Sequence, residues 1–375
     1  MAEITTAEIK EYLFKIQGHI TSLAEVRREF NISQGSKSFD AVRNIMFQLA
    51  EQKIVVPLTR RGEYKVVLQV KPVQVFGEAR ERRPPYDLRF PRDFTSDMEL
   101  SFAEFIVIRA GDLITIGGTK SSGKTQLCLS FCAENIDSLP VLMGNEYTIQ
   151  AEGKHEPAPR FLDRLDRMSE WVQWTNGDGM DKFTLLPVSE DYAEHIINGR
   201  INIADWIDLG GDRLFDIGKI LKGIKNNNGR GISIAALQKG AGAIDPRGSQ
   251  FVRDYSDLEI ILDPLGKNPH DVLLTIRGAK ETTKPIVGKT YAYTVGEAGT
   301  KMFNFREVKK CKGCMGSGFV KGHDCDECYG TGWRDAKSSG SSNNSLSVNC
   351  PSIYLLYNSR ILALLHQLPT FYPLL

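Results

Sequence analysis

Gly117-Gly118-Thr119-Lys120-Ser121-Ser122-Gly123-Lys124-Thr125 is the stretch on which the reading of this chain turns. Gly118, Gly123, Lys124 and Thr125 fill the fixed positions of the pattern G-x-x-x-x-G-K-[ST]. Leu113 to Ile116, just before it, are apolar and β-favouring, and Gln126 to Glu134, just after it, carry leucine and cysteine at helical spacing. The pattern therefore sits where a strand turns into a helix. Glycines there let the backbone fold tightly enough for its N–H groups to surround an anion at the helix N-terminus. Residues Gly118, Thr119, Lys120, Ser121, Ser122, Gly123, Lys124 and Thr125 form the expected cradle for a nucleoside triphosphate. Lys124 would reach the β- and γ-phosphates, and the Thr125 hydroxyl would ligate Mg²⁺.

Around this loop, residues 96–305 alternate apolar runs (LITIG, PVLMG, INIAD, ISIAAL, LEIIL, VLLTI) with helical stretches. That alternation predicts an α/β domain with a mostly parallel sheet. Hydrolysis needs more than a phosphate cradle: an acidic partner for Mg²⁺ and a group to orient water. Ile201-Asn202-Ile203-Ala204-Asp205 is a strand ending in a carboxylate that can hold the metal's water shell opposite Thr125, with Asp208 as the competing acid. The strand from Pro140 to Gly144 ends in Asn145-Glu146, and the strand ISIAALQ closes on Gln238.

Taken together, GGTKSSGKT, Glu146, the run from Asp205 to Leu209 and Gln238 resemble the RecA/DnaB/KaiC group of P-loop ATPases. The resemblance covers about 200 residues. It implies ATP and Mg²⁺ as ligands, Glu146 as the base that polarises water, and Gln238 as the sensor of the γ-phosphate. After Gln238, the glycine-dense loop KGAGAIDPRGSQFVRD brings Lys239, Arg247 and Arg253. Such spaced cations suit a phosphate backbone, and the corresponding loop of the group faces the central channel or filament axis, which suggests Lys239 and Arg247 as DNA contacts, although a mobile surface loop reads the same way. In TIRGAKETTKPIVGKTY, Arg277, Lys280 and Lys284 match the region where family members place a cation that reaches the neighbouring subunit's γ-phosphate, Lys280 first among them. A residue supplied in that way implies a homo-oligomeric ring or filament with active sites between subunits. The helical N-terminal domain of replicative helicases is not matched here.

Residues 1–72 read as three short helices and a hairpin. Thr5-x-x-Glu8 and Ser22-x-x-Glu25 are capping boxes, and Val42, Ile45, Met46 and Leu49 form the inward stripe of the third helix. The runs Ile54 to Leu58 and Tyr64 to Val70 flank a basic turn. This order resembles a winged helix-turn-helix domain, which implies DNA contacts from Arg43 on the third helix and from Arg60 and Arg61 on the wing. A protein-docking use of the same domain is the alternative. Residues 73–95 are rich in proline and arginine and read as a linker, or as an arm lying on the next domain.

Residues 306–335 hold Cys311-x-x-Cys314 and Cys325-x-x-Cys328, the spacing of a tetrahedral four-thiolate Zn²⁺ site in a reducing compartment. Each knuckle extends to CxxCxGxG, which resembles the repeats of the cysteine-rich domain of DnaJ-type co-chaperones and adds only the zinc, since no J domain accompanies it. Four thiolates close the site and leave His323 outside. The knuckle serves either as a fold staple or as a docking knob. Cys128 and Cys132 fall in the helix behind the loop, as small hydrophobes.

The net charge of +1 excludes a globally basic nucleic-acid binder, so such contacts must come from local patches. No basic-then-apolar leader and no apolar run of spanning length occurs, which predicts a cytoplasmic protein without a membrane partner. Residues 336–375, polar and then irregularly apolar, are expected to form a poorly ordered tail. The expected whole is an ATP-dependent DNA-binding protein: a winged helix, a RecA-like core and a zinc knuckle. A nucleotide-gated DNA-binding regulator and a non-hydrolysing scaffold are the alternatives.

Overall fold

A computed structural model describes residues 4–68, 84–144, 146–207, 216–240 and 242–336. The chain forms two compact units that divide after Arg83. Asn145, Asp208, the linker residues 73–83 and the tail from residue 337 lie outside the described residues.

The first unit contains α1 (Thr6–Lys15), β1 (Ile20–Ser22), α2 (Leu23–Glu29), α3 (Lys37–Glu51), β2 (Val55–Pro57) and β3 (Glu63–Val66). Both capping boxes form. Thr5 and Ser22 accept from the Glu8 and Glu25 amides, and those glutamates accept in return from the cap amides at 2.8 Å. Ile9, Leu13, Val26, Val42, Met46 and Leu49 close over Val55 and Val66 of the hairpin in one core. β1 joins the hairpin to give a three-stranded sheet in the order β1-β3-β2, a strand too short to register in the sequence pattern. Arg43, Phe47, Arg60 and Arg61 face outward, Phe47 being 64% exposed.

In the second unit, an arm runs from Pro84 through β4 (Arg92–Asp93) and β5 (Met98–Glu99). The arm packs on the domain: the Tyr86 amide donates to the Ile108 carbonyl, Arg92 pairs with Glu134 at 2.6 Å, and Phe90 sits edge-on to Phe102 and Phe131. There follow β6 (Leu113–Gly118), α4 (Lys124–Glu134), β7 (Val141–Met143), β8 (Thr148–Ala151), β9 (Lys154–Pro157), α5 (Pro159–Met168), β10 (Thr184–Leu186), β11 (Ile201–Ile207), α6 (Ile217–Asn227) and β12 (Ile232–Gln238). The last part comprises α7 (Ser249–Tyr255), β13 (Leu258–Pro264), β14 (Asp271–Ala279), β15 (Thr290–Gly296), β16 (Lys301–Lys310), β17 (Phe319–Val320), β18 (His323–Asp324) and β19 (Trp333–Asp335).

Ten strands form one sheet in the order β10-β7-β11-β12-β6-β13-β14-β15-β16-β19. The first six are mutually parallel, and β14, β15, β16 and β19 extend the sheet in antiparallel fashion. Alternation along β12 explains the layering. Ile232, Ile234 and Ala236 join the core under α4, while Ala235 and Leu237 join the core under α6. Helices on both faces cover the parallel strands, as apolar runs without polar alternation require. The sheet does not stop near residue 305. β16 continues to Lys310, enters the cysteine module directly, and receives β19 back from it in the register Lys310↔Trp333.

Candidate functional site

Because β6, β7, β11 and β12 run parallel, their carboxyl ends lie along one edge of the sheet, the edge where open α/β sheets bind ligands. Gln238 is level with Gly118, and Ala204 is level with Met143. This brings the loop after β6, Glu146 after β7 and Gln238 around one cleft of about 880 Å³, with Trp206 of β11 in its lining and the buried Asp205 just before it. The close approach of β7 to β11 depends on Gly144. At its φ of 145°, a Cβ would fall 1.8 Å from the Asp205 carbonyl oxygen.

In the loop, Gly123 caps α4 with φ 90°, a left-handed conformation that costs glycine little. Ser121 also has positive φ, at 63°. Lys124 is buried against the loop itself. Its Nζ donates to the Gly118 and Thr119 carbonyls at 3.0 and 2.7 Å and to Gln238 Oε1 at 3.3 Å. Desolvation lowers the Lys124 ammonium below its ordinary value, with Asp205, Cys128 and Glu146 opposing. The lysine thus bridges the loop and the end of β12, and the carbonyls it holds are partners that an anion in the cradle replaces.

Asp205 is fully buried. The Tyr147 hydroxyl donates to its Oδ2 at 2.8 Å, and its Oδ1 has no hydrogen-bond partner. Burial raises the Asp205 carboxyl above its ordinary value, with the Tyr147 hydroxyl and the neighbouring Thr125 hydroxyl working against that shift. A buried carboxylate oxygen without a partner, beside a threonine hydroxyl and a phosphate-type loop, suits a hydrated divalent cation, so the residues present fit Mg²⁺. Sequence reasoning missed Tyr147; its position one residue after Glu146 carried no motif signal. It also missed Arg160 and Arg164, which line the cleft from α5 one turn apart.

Several sequence expectations change here. Lys239, expected among the DNA contacts, is buried and ion-paired with Asp263, so its ammonium is withdrawn from any surface. Arg247 is exposed but lines the same cleft as Lys124 rather than a separate face. Lys280 lies at the opposite edge of the sheet, where it donates to Asp257 at 3.1 Å beside the first residue of β6. It is therefore remote from the phosphate loop of its own chain. Arg277 pairs with Asp245 at 3.2 Å, and the Lys284 ammonium lies 4.2 Å from the Phe105 ring centroid.

Cys311, Cys314, Cys325 and Cys328 are buried, and their sulfurs lie within 4.8 Å of one another. The Cys311–Cys325 and Cys314–Cys328 separations are 3.9 and 3.6 Å. A tetrahedron with Zn–S bonds of about 2.3 Å has edges of about 3.8 Å, so the four thiols fit a zinc ion. The Gly318 and Gly332 amides donate to the Cys314 and Cys328 sulfurs at 3.3 and 3.1 Å. Burial raises the Cys314 thiol, but the Gly318 and Gly316 amides together with the Cys328 and Cys311 thiols lower it to about 7. His323 is exposed and outside the cluster. Cys128 and Cys132 are buried behind the loop, and burial pushes both thiols well up.

Fold and cleft define a three-layered α/β protein with a strand–loop–helix cradle at the carboxyl ends of parallel strands. No protein-family model matches the chain, and no curated protein matches it. Among solved structures, a crystal structure of the RadB recombinase is similar, with 14% identity over 52% of this chain and 91% of that chain and a TM-score of 0.38. A likeness this slight assigns no role to any residue, and the roles are read from this chain's own geometry. Among the described residues, no helix is long and apolar enough to cross a membrane.

Proposed function

We propose that the chain is a RecA-type ATPase that binds DNA and works as a homo-oligomer. The observation that carries this reading is the convergence of Lys124, Thr125, Glu146 and Gln238 on one cleft, with Lys124 already bonded to Gln238 and the buried Asp205, next to the cleft residue Trp206, keeping one oxygen without a partner. Lys124 and the loop amides from Gly118 to Thr125 hold the triphosphate. Thr125 and Asp205 would hold Mg²⁺, which neutralises phosphate charge when bound. Glu146, exposed in the cleft, orients the attacking water and accepts its proton. When the γ-phosphate draws Lys124 from its resting partners, Gln238 loses its hydrogen bond to the ammonium and swings with the occupant. That exchange gives the loop from residue 239 a means of reporting nucleotide state. Lys280, remote from its own chain's loop, suits a role at the neighbouring subunit's phosphate.

The N-terminal unit has the element order of a winged helix, and its outer surface supports duplex DNA as partner. Arg43 on α3, with Arg60 and Arg61 on the hairpin, borders a groove of about 940 Å³. Arg43 and Arg60 are held by local carboxylates, Asp40 at 3.6 Å and Glu63 at 3.2 Å, whereas Arg61 makes no ion pair among the described residues. The four-cysteine module would hold one Zn²⁺, which fixes the two knuckles and the outer strand of the sheet. The test is steady-state ATP hydrolysis with and without single- and double-stranded DNA. Stimulation by DNA supports the reading; hydrolysis that ignores DNA at every concentration overturns the DNA-coupled part of it.

A further inference from the structure

The two knuckles are related by an offset of 14 residues: Cys311 matches Cys325, Cys314 matches Cys328, Met315 matches Tyr329, and Phe319 matches Trp333. Their glycine segments cross at van der Waals contact. A Cβ on Gly318 would lie 2.3 Å from the Gly330 carbonyl oxygen, and one on Gly332 would lie 2.4 Å from that of Gly316. The second glycine of each CxxCxGxG repeat therefore serves the contact between knuckles. Met315 and Tyr329 each directly precede the first glycine of these crossing segments.

Both are large apolar side chains exposed to water, at 89% and 88%. Both have left-handed backbone, with φ of 52° and 51°, where a side chain adds strain that glycine would avoid. Neither is used to pack the module. Phe319, on β17, is half exposed, with the Lys267 ammonium 5.9 Å from its ring centroid.

Once ion pairs are set aside, the module's remaining charge is mostly positive. Glu307, Asp324, Glu327 and Asp335 are ion-paired with Lys289, Lys267, Arg334 and Arg306. Lys309, Lys310, Lys312 and Lys321 are exposed and make no ion pair among the described residues, against Asp326 alone among the module's acids. The Lys310 stem lies against Gly316, the neighbour of Met315. Exposed aromatic and thioether side chains beside uncompensated lysines match a strand whose bases are unstacked and whose backbone is anionic. A protein surface would have to bring its own acids to the same spot.

We propose that the knuckle tips bind single-stranded nucleic acid, with Tyr329 and Met315 stacking on bases and Lys310, Lys312 and Lys321 contacting phosphates. This adds a contact to the DNA-binding reading above but does not depend on ATP turnover or on the N-terminal unit. The test uses the full-length, zinc-loaded chain carrying Arg60→Ala and Arg61→Ala, without nucleotide, and a fluorescein-labelled single strand of twenty thymidines in an anisotropy titration. Into this background, Met315→Gly and Tyr329→Gly are introduced; glycine suits their backbone, and one zinc per chain verifies that the module is intact. The expected result is affinity weaker by about 10- to 100-fold, from the loss of base stacking. Lys312→Gln with Lys321→Gln should reduce the slope of log affinity against log salt by about 1.4, at about 0.7 per phosphate contact on a single strand. Unchanged affinity and slope in the zinc-loaded variants would overturn the proposal, as would absence of binding before the tips are changed. Altered self-association in sedimentation with unchanged strand affinity would also overturn it and assign the tips to a protein contact.

Discussion

Tyr147→Phe removes a single buried hydroxyl behind the cleft and leaves the ring in place, 4.9 Å from that of Phe161, so no cavity opens. What is lost is a 2.8 Å hydrogen bond to Asp205, whose other oxygen already lacks a partner and whose side chain is fully buried. A hydrogen bond to a charged group contributes about 1.5–3 kcal/mol, which sets the expected loss of stability near neutral pH. The pH dependence has a definite sign. Tyr147 works to lower an Asp205 carboxyl that burial raises, so its removal raises the folded value further. The variant's folded state then holds a proton over a wider range, its stability falls more steeply as pH rises through that range, and the deficit shrinks as pH is lowered. If Asp205 must be ionised to hold Mg²⁺, the acidic limb of turnover moves to higher pH. Loss of a group that supports a ligating carboxylate costs about 10- to 100-fold in metal affinity or activity. Urea unfolding at neutral and mildly acidic pH, with a Mg²⁺ titration of ATP turnover, reads each effect. A variant with wild-type stability and Mg²⁺ response would refute the claim that Tyr147 holds Asp205 for the metal.

Three further outcomes are expected. Cys314→Ser with Cys328→Ser should abolish zinc binding and, because β19 pairs with β16, should also expose Trp333, giving a red-shifted tryptophan emission; zinc content unchanged from one per chain would contradict the assignment. Arg60→Ala with Arg61→Ala should weaken duplex DNA binding and flatten its salt dependence by about two phosphate contacts, leaving basal ATP turnover unchanged; an unchanged salt slope would move the duplex contact elsewhere. If Lys280 acts across a subunit boundary, mixing the inactive Lys124→Ala and Lys280→Ala chains should restore part of the turnover that each lacks, whereas strictly additive inactivity would exclude that role.

What was legible in the sequence was local. The six apolar runs became strands, both capping boxes formed at Thr5 and Ser22, and the glycine loop closed a strand onto a helix, because spacing and residue type alone decide those features. Long-range pairings were not legible. The return of β19 to β16 depends on the folding of the cysteine module, and no periodicity in Trp333-Arg334-Asp335 announces it. The Tyr147–Asp205 bond joins residues 58 apart and follows from the strand order, which hydrophobic patterning does not encode. Charge was misread where burial decides it. Lys239 resembled an exposed cation in a glycine-rich loop, but the Asp263 carboxylate on the adjoining part of the sheet captures it. Lys280 fell in the expected segment, and only the register of β13 with β6 showed that it stands at the far edge from the phosphate loop.

The central claim is that this cleft hydrolyses ATP with Glu146 orienting the water. Glu146→Gln keeps the side chain's size and removes its basicity, so the most direct measurement compares ATP affinity and single-turnover hydrolysis in the wild-type and variant chains. The expected result is near wild-type ATP binding with hydrolysis at least ~100-fold slower, the contribution of a positioned general base. Hydrolysis at a near wild-type rate in the variant, or none in the wild-type chain with ATP and Mg²⁺ saturating, would contradict it.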